Sequence, residues 1–203
     1  MPLKIRRACI DDAPALSRIC LLTADSGGTA EHLHEFPELP GLVWAVPYVT
    51  LPTTWGFVLE EDDGKVVGYI VGSLDTATYE NFARKNLWPV LAKRYPLEGM
   101  SLPADQAYAR LLQDFRQLPQ TTLDFAPAHL HIDILVSHQG RGWGRRLIEH
   151  AARHLQQEGI EGVWLIMNPR NIAAGSFYRK LGFESIMGSP TNHLGLRFGT
   201  MAC

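Results

Sequence analysis

Apolar and polar positions change their spacing several times along the chain, and each change marks an element. Residues 3–8 read as a first strand, and Asp11-Asp12-Ala13-Pro14 opens a helix through about Ala24 with acid at its positive end. Two strand-like runs, Trp55 to Glu60 and Lys65 to Ser73, flank Glu61-Asp62-Asp63-Gly64, the signal of an antiparallel hairpin. Helical patterns over 76–95 and 104–117 come next, and look like an insertion between strands at about 76–120. A β-branched strand is expected over 128–136, a helix over 142–158 and a short apolar strand over 161–167. A helix over 171–181 and a closing pair of strands in 183–199 complete the order. That order predicts one α/β (α+β) domain over residues 1–203, with a mixed central sheet flanked by helices. Residues 26–54, rich in Pro, Gly and aromatics, are too long for a connector and leave room for short helices.

The most informative segment is the junction between the fourth strand and the helix behind it, Gln139-Gly140-Arg141-Gly142-Trp143-Gly144-Arg145-Arg146. A strand that turns through glycines into a helix exposes several backbone N–H groups at the positive end of the helix dipole. Such a turn is suited to phosphate, and the arginines add charge for a polyanion. The spacing is neither that of a dinucleotide-binding fingerprint nor that of a P-loop. Taken alone, the segment is equally an ordinary glycine turn beside an arginine-rich surface helix.

Gln139-x-x-Gly142-x-Gly144 resembles the pyrophosphate loop of the GNAT superfamily of N-acetyltransferases. A second segment agrees. Asn171, Ala174, Tyr178, Gly182 and Phe183 fall in register with that superfamily's N-x-x-A-x-x-x-Y-x-x-x-G-F signature. Asn171 also suits a helix N-cap, and Gly182 the left-handed position after a helix. A narrower resemblance, to the acetyltransferase-like C-terminal domain of animal O-GlcNAcase and its bacterial stand-alone relatives, covers almost the whole chain. It is carried by Phe57 to Gly64, Gly68 to Asp75, His131-Ile132-Asp133 and Phe177 to Gly182. That domain lacks the cofactor loop, whereas this chain keeps the glycines and arginines.

The resemblance implies a GNAT fold with a splayed strand, acetyl-CoA as cofactor, and direct acetyl transfer to an amine. It assigns Ile134, Leu135 and Val136 to the pantetheine arm through their backbone. Gln139, Gly140, Arg141, Gly142, Trp143, Gly144 and Arg145 would wrap the pyrophosphate. Asn171 would steady pantetheine, and Ser176 and Arg179 would lie nearer the adenosine. Tyr178 holds the family position from which a phenol protonates the departing thiolate; the bland alternative is a tyrosine packed on the sheet.

Strand alternation adds one candidate. Leu130, Ile132 and Ile134 share one face and His131, Asp133 and Leu135 the other, so Asp133 is a carboxylate in a central strand. Such a group needs a partner or a raised pKa. A raised pKa would suit a base for an ammonium substrate; a structural tie to His131 or to a backbone amide is the other reading. Asp75 is a weaker candidate for gripping a cationic amine, and Trp44 and Tyr48 for lining the acceptor pocket.

Composition narrows the class without changing it. The chain has 203 residues, 46% of them hydrophobic, and a net charge of −2, which gives nucleic acid no bulk attraction. No apolar run reaches the roughly 20 residues of a membrane helix. Cys9, Cys20 and Cys203 are odd in number and widely spaced, which favours free thiols and a cytoplasmic setting. No metal is expected from the His129-x-His131 pair. A small-molecule or protein amine acceptor, and a monomer or homodimer, fit equally. A CoA-binding regulator without turnover and a pseudo-acetyltransferase interaction module remain the competing functions.

Overall fold

Seven strands form one sheet in the order β1-β2-β3-β4-β5-β7-β6. The computed structural model describes residues 2–115 and 117–200. β1 (Leu3–Arg7), β2 (Thr54–Glu61), β3 (Val66–Ser73) and β4 (Ala128–Ile134) pair antiparallel in succession. β5 (Gly162–Ile166) then runs parallel to β4, and β7 (His193–Arg197) and β6 (Glu184–Ser185) close the far edge antiparallel. The mixed sheet and flanking helices are the expected GNAT architecture.

Period-two alternation decides which helix covers which face. Phe57, Leu59 and Ile70 point to the face covered by α7 (Trp143–Gln157), where Leu147, Ile148 and Leu155 are essentially inaccessible. Each such side chain contributes about 1.5–3 kcal/mol on burial. Val58, Tyr69 and Val71 point to the opposite face, under Leu16, Ile19 and Cys20 of α1 (Ala13–Thr23). β2 and β3 are therefore apolar on both faces, which explains their nearly continuous hydrophobic runs.

Residues between α1 and β2 supply a short helix, α2 (Leu39–Trp44), and a 3-10 turn at Val46–Val49. Between β3 and β4 lie α3 (Thr76–Asn86), α4 (Trp88–Arg94), α5 (Pro103–Gln113) and α6 (Gln120–Phe125). The pattern over 76–95 predicts helix throughout, but the structure breaks at Leu87, where Pro89 cannot donate a backbone N–H and starts a new helix instead. α6 lies beyond the helical ranges anticipated. Leu39 and Val43 of α2, Ala83 of α3, Trp88 and Leu91 of α4, and Ala109 and Leu112 of α5 meet in a separate apolar cluster. Asp105 of α5, fully buried, ties that cluster to the preceding loop. It accepts from the His34 ring at 2.7 Å and from the Glu35 and Phe36 backbone at 2.7 and 3.4 Å.

One irregularity matters most for function. β4 and β5 pair only at Ala128 with Val163 and His129 with Trp164, and then separate. Beyond His129, β4 keeps β3 on one side and, among the described residues, has no strand on the other. Cys9 and Cys20 are free thiols, and Cys203 lies outside the described residues. Among the described residues no helix is long and apolar enough to cross a membrane.

Candidate active site

The splay opens a groove of about 1430 Å³ that runs from the start of α7, between β4 and β5, to the helices of the insertion. At its first end stands the glycine turn. Gly140 and Gly142 take φ of +71° and +80°, the left-handed region that a Cβ resists. Gly142 is the N-cap of α7 and offers no side chain, so the N–H groups of Trp143, Gly144 and Arg145 have no helical acceptor. Gly144 has a different task. A Cβ there would come within 2.9 Å of Phe177 Cζ, so glycine lets α7 approach α8 (Ile172–Lys180).

The arginines divide. Arg145 lines the groove, half-exposed beside Glu149 at 3.7 Å. Arg146 lies over the Trp143 ring at 4.5 Å, and Arg141 is exposed and outside the groove lining. Lys180, which sequence reasoning missed, also lines the groove, one helical turn after Phe177, the residue that packs on Gly144. Free N–H groups at a positive helix end with two cations nearby suit a diphosphate.

Further along, several expected groups already have partners. The Gln139 amide donates to Ile134 O at 2.7 Å, bracing the turn against β4 instead of reaching outward. The Leu135 N–H donates to Val67 O at 2.9 Å, and Val136 starts a 3-10 turn with its side chain exposed in the groove. The Asn171 carboxamide accepts from Ala174 N at 3.0 Å as the N-cap of α8, while still lining the groove. Ser176 and Arg179 are exposed on α8 and are not brought into the groove.

Asp133 and Tyr178 both line the middle of the groove. Asp133 keeps part of its surface open to it and accepts from Tyr69 Oη at 2.5 Å. This tie, rather than one to His131 or an amide, holds the carboxylate. Burial pushes its pKa up to about 6, with the Tyr69 hydrogen bond pulling the other way. Burial, helped by the Asp133 charge, raises the Tyr178 phenol above its ordinary value, so it keeps its proton. A carboxyl able to ionise near neutral pH and a protonated phenol therefore face the same space.

Aromatic side chains build the far half. Tyr48 stacks on Tyr79 with centroids 4.9 Å apart, and the Trp44 Nε1 donates to Tyr108 Oη at 3.1 Å. Thr76 Oγ1 donates to Pro127 O at 2.7 Å, so it accepts from His129 Nδ1–H at 2.7 Å. His129 Nε2 is then left to accept from Tyr48 O–H at 2.8 Å. Burial keeps His129 neutral and lowers His131 to about 4. Trp44 and Tyr48 both line the groove. Asp75 does not: its carboxylate caps α3 by accepting from Thr78 N and Oγ1, each at 3.0 Å, outside the groove lining. A residue directly before a helix serves that cap first.

The Acetyltransferase (GNAT) domain family matches residues 114–185. The crystal structure of SsHAT superposes with a TM-score of 0.84 at 33% identity, covering 97% of this chain and 98% of that one. The chain belongs to the GNAT acetyltransferase family. Two curated relatives are similar over shorter stretches. Mycothiol acetyltransferase of Saccharomonospora viridis is 46% identical over 48 residues, 24% of this chain and 16% of that protein. The ribosomal protein bS18 alanine N-acetyltransferase of Escherichia coli is 35% identical over 67 residues, 33% of this chain and 45% of that one. The chain therefore spans less than half the length of either. Within this GNAT chain the family match covers the glycine turn, β5 and α8, and leaves most of the acceptor half outside it.

Proposed function

We propose that the protein is an acetyl-CoA-dependent N-acetyltransferase that passes acetyl directly to an amine held in the same groove. The observation that carries this is the placement of Asp133 and Tyr178 on one groove whose other end is a helix N-terminus with uncapped N–H groups. Bound acetyl-CoA would supply an activated thioester. The N–H groups of Trp143, Gly144 and Arg145, with the Arg145 and Lys180 side chains, would hold its diphosphate. The part of β4 that β5 leaves free would take pantetheine along its edge, and Val136 would border it.

Asp133 removes one proton from the acceptor ammonium, freeing the nitrogen lone pair to attack the thioester carbonyl. As the C–S bond breaks, Tyr178 gives its phenolic proton to the sulfur, and the second proton, shed by the nitrogen as the amide forms, restores the phenol; the net proton released is the one Asp133 returns to solvent. A base near pH 6 is ionised at neutral pH, yet takes a proton more readily than an ordinary carboxylate. The amine nitrogen itself attacks the acyl carbon, so no covalent acyl-enzyme is needed. The proposed setting is cytoplasmic, as one domain with α3 to α6 inserted.

Two measurements test this. Calorimetric titration with acetyl-CoA should show saturable binding, and a thiol-release assay over an amine panel should show turnover. Binding without thiol release from any amine would make the chain a CoA-binding regulator. Absence of binding would leave it an interaction module.

A further inference from the structure

The two halves of the groove differ sharply in charge. Among the described residues its lining cations are Arg145 and Lys180, both at the cofactor end. The acceptor half contributes two carboxylates, Asp133 at the reaction centre and Glu80 on α3, and no lysine or arginine. Glu80 is half-buried and has no ion pair within 4.0 Å among the described residues; Arg84, one helical turn on, tempers its charge without pairing. Beside it, the Tyr79 hydroxyl is a buried polar atom of a 4% exposed residue that lines the groove; among the described residues it makes no hydrogen bond of good geometry, its polar neighbour being the Tyr48 hydroxyl. The neighbouring Tyr48 proton is already committed to His129. An unsatisfied buried hydroxyl costs about 1–3 kcal/mol, so it marks a place where a ligand group is expected.

Asp133 and the Tyr79 end of the groove are set apart along β4. The Tyr79 ring packs on His129 at 5.4 Å, and Asp133 lies four residues further along the same strand. At about 3.3 Å per residue that is on the order of 13 Å of groove. The floor between them is aromatic and neutral: Trp44, Tyr48, Tyr108 and the unprotonated His131. Aromatic faces attract cations and also accept methylene chains. A single ammonium would satisfy Asp133 and leave Glu80 and Tyr79 unanswered.

We infer that the acceptor is an elongated small-molecule amine with two cationic nitrogens, one presented to Asp133 for acetylation and the other held by Glu80 and Tyr79 at the far end. This rests on the acetyl-transfer reading and specifies its substrate class. The aromatic floor lies alongside the carbon chain, and the charge asymmetry sets its direction, with both cations drawn away from Arg145 and Lys180.

The test compares matched amines, cadaverine against pentylamine, with spermidine as a longer dication and phenethylamine as an aromatic monocation. The wild-type protein should show kcat/KM for cadaverine at least about tenfold above pentylamine, with spermidine at least equal to cadaverine; tenfold corresponds to about 1.4 kcal/mol. In Glu80→Gln the cadaverine-to-pentylamine ratio should collapse toward unity, mostly through KM. Tyr79→Phe, which keeps the ring stack, should lower the same ratio less. Independently of turnover, calorimetry should show spermidine binding to the cofactor-free protein, weakened at least about tenfold in Glu80→Gln and by added salt. Pentylamine or phenethylamine turning over as well as cadaverine would overturn the inference while leaving acetyl transfer intact. No thiol release from any amine would sink the transfer reading, and the spermidine titration would still decide whether the dication site exists.

Discussion

The two ends of the groove are built by opposite means. The cofactor end is made of consecutive backbone: seven residues, 139–145, create the turn, the uncapped helix and the bracing Gln139 contact. The acceptor end is made of side chains from α1, α2, the 3-10 turn after it, α3, α5 and β4, brought together from positions up to about a hundred residues apart. Backbone geometry recognises a group common to every molecule of the cofactor. Side chains recognise what varies, so this end can diverge without disturbing the other. Asp133 and Tyr178 stand at the seam, which predicts that binding at one end and chemistry at the seam separate on mutation.

The largest expected effect is at Asp133. Asp133→Asn should lower kcat by about 10²–10⁴ while the acetyl-CoA affinity stays the same. In the wild-type protein activity should rise with pH through about 6, because the base works when ionised, and that limb should vanish in the variant. A pH–rate profile of both proteins checks it. A variant retaining most of its kcat would move the base elsewhere.

Next comes Tyr178→Phe, expected to lower kcat by about 10², since only the hydroxyl is lost and the ring contacts with Phe177 and Phe183 remain. A thiolate departs less reluctantly than an alkoxide, which keeps this loss at the lower end. Unchanged turnover would reduce Tyr178 to a packed side chain, the alternative its sequence position left open.

How much of each end was legible follows from the same contrast. Gly142, Gly144 and Asn171 announce themselves because turns and caps are short-range and have few residue solutions. The splay of β4 from β5 came only with the family resemblance. Glu80, Tyr79, Tyr108 and Lys180 carry no local signature. Each is an ordinary helical residue until tertiary packing turns it into the groove. Asp75 shows the converse error: a carboxylate at a strand end looks available, but the helix behind it claims the side chain. The break at Leu87 was written in Pro89, and the clamp of His34 on Asp105 across 71 positions was not.

A smaller effect probes the backbone end alone. Gly142→Ala forces a Cβ into a φ of +80°, at a cost of about 1–2 kcal/mol. If the turn must hold that shape to present its N–H groups, acetyl-CoA should bind about tenfold more weakly, with kcat at saturating cofactor preserved. Equal affinity by calorimetry would mean the turn is not the diphosphate site, and the contrast between the two ends would lose its first member.

The smallest effect decides why Asp133 is there at all. Its folded pKa, about 6, lies above the roughly 3.9 of an unfolded carboxyl. Between those values the folded state holds a proton that the unfolded state has lost, so the carboxyl costs stability as pH rises through the window. An uncharged Asn escapes that cost and still accepts from Tyr69. Asp133→Asn should therefore be more stable than the wild-type protein above pH 6. Partial exposure to the groove limits the gain to about 1 kcal/mol, or about 2–4 °C in Tm. The gain should disappear below about pH 4, where both forms are neutral. A structural tie predicts the reverse, a variant less stable at every pH. Thermal melts of the pair across pH 4–8 separate the two, because a group kept at the expense of stability is one retained for its chemistry.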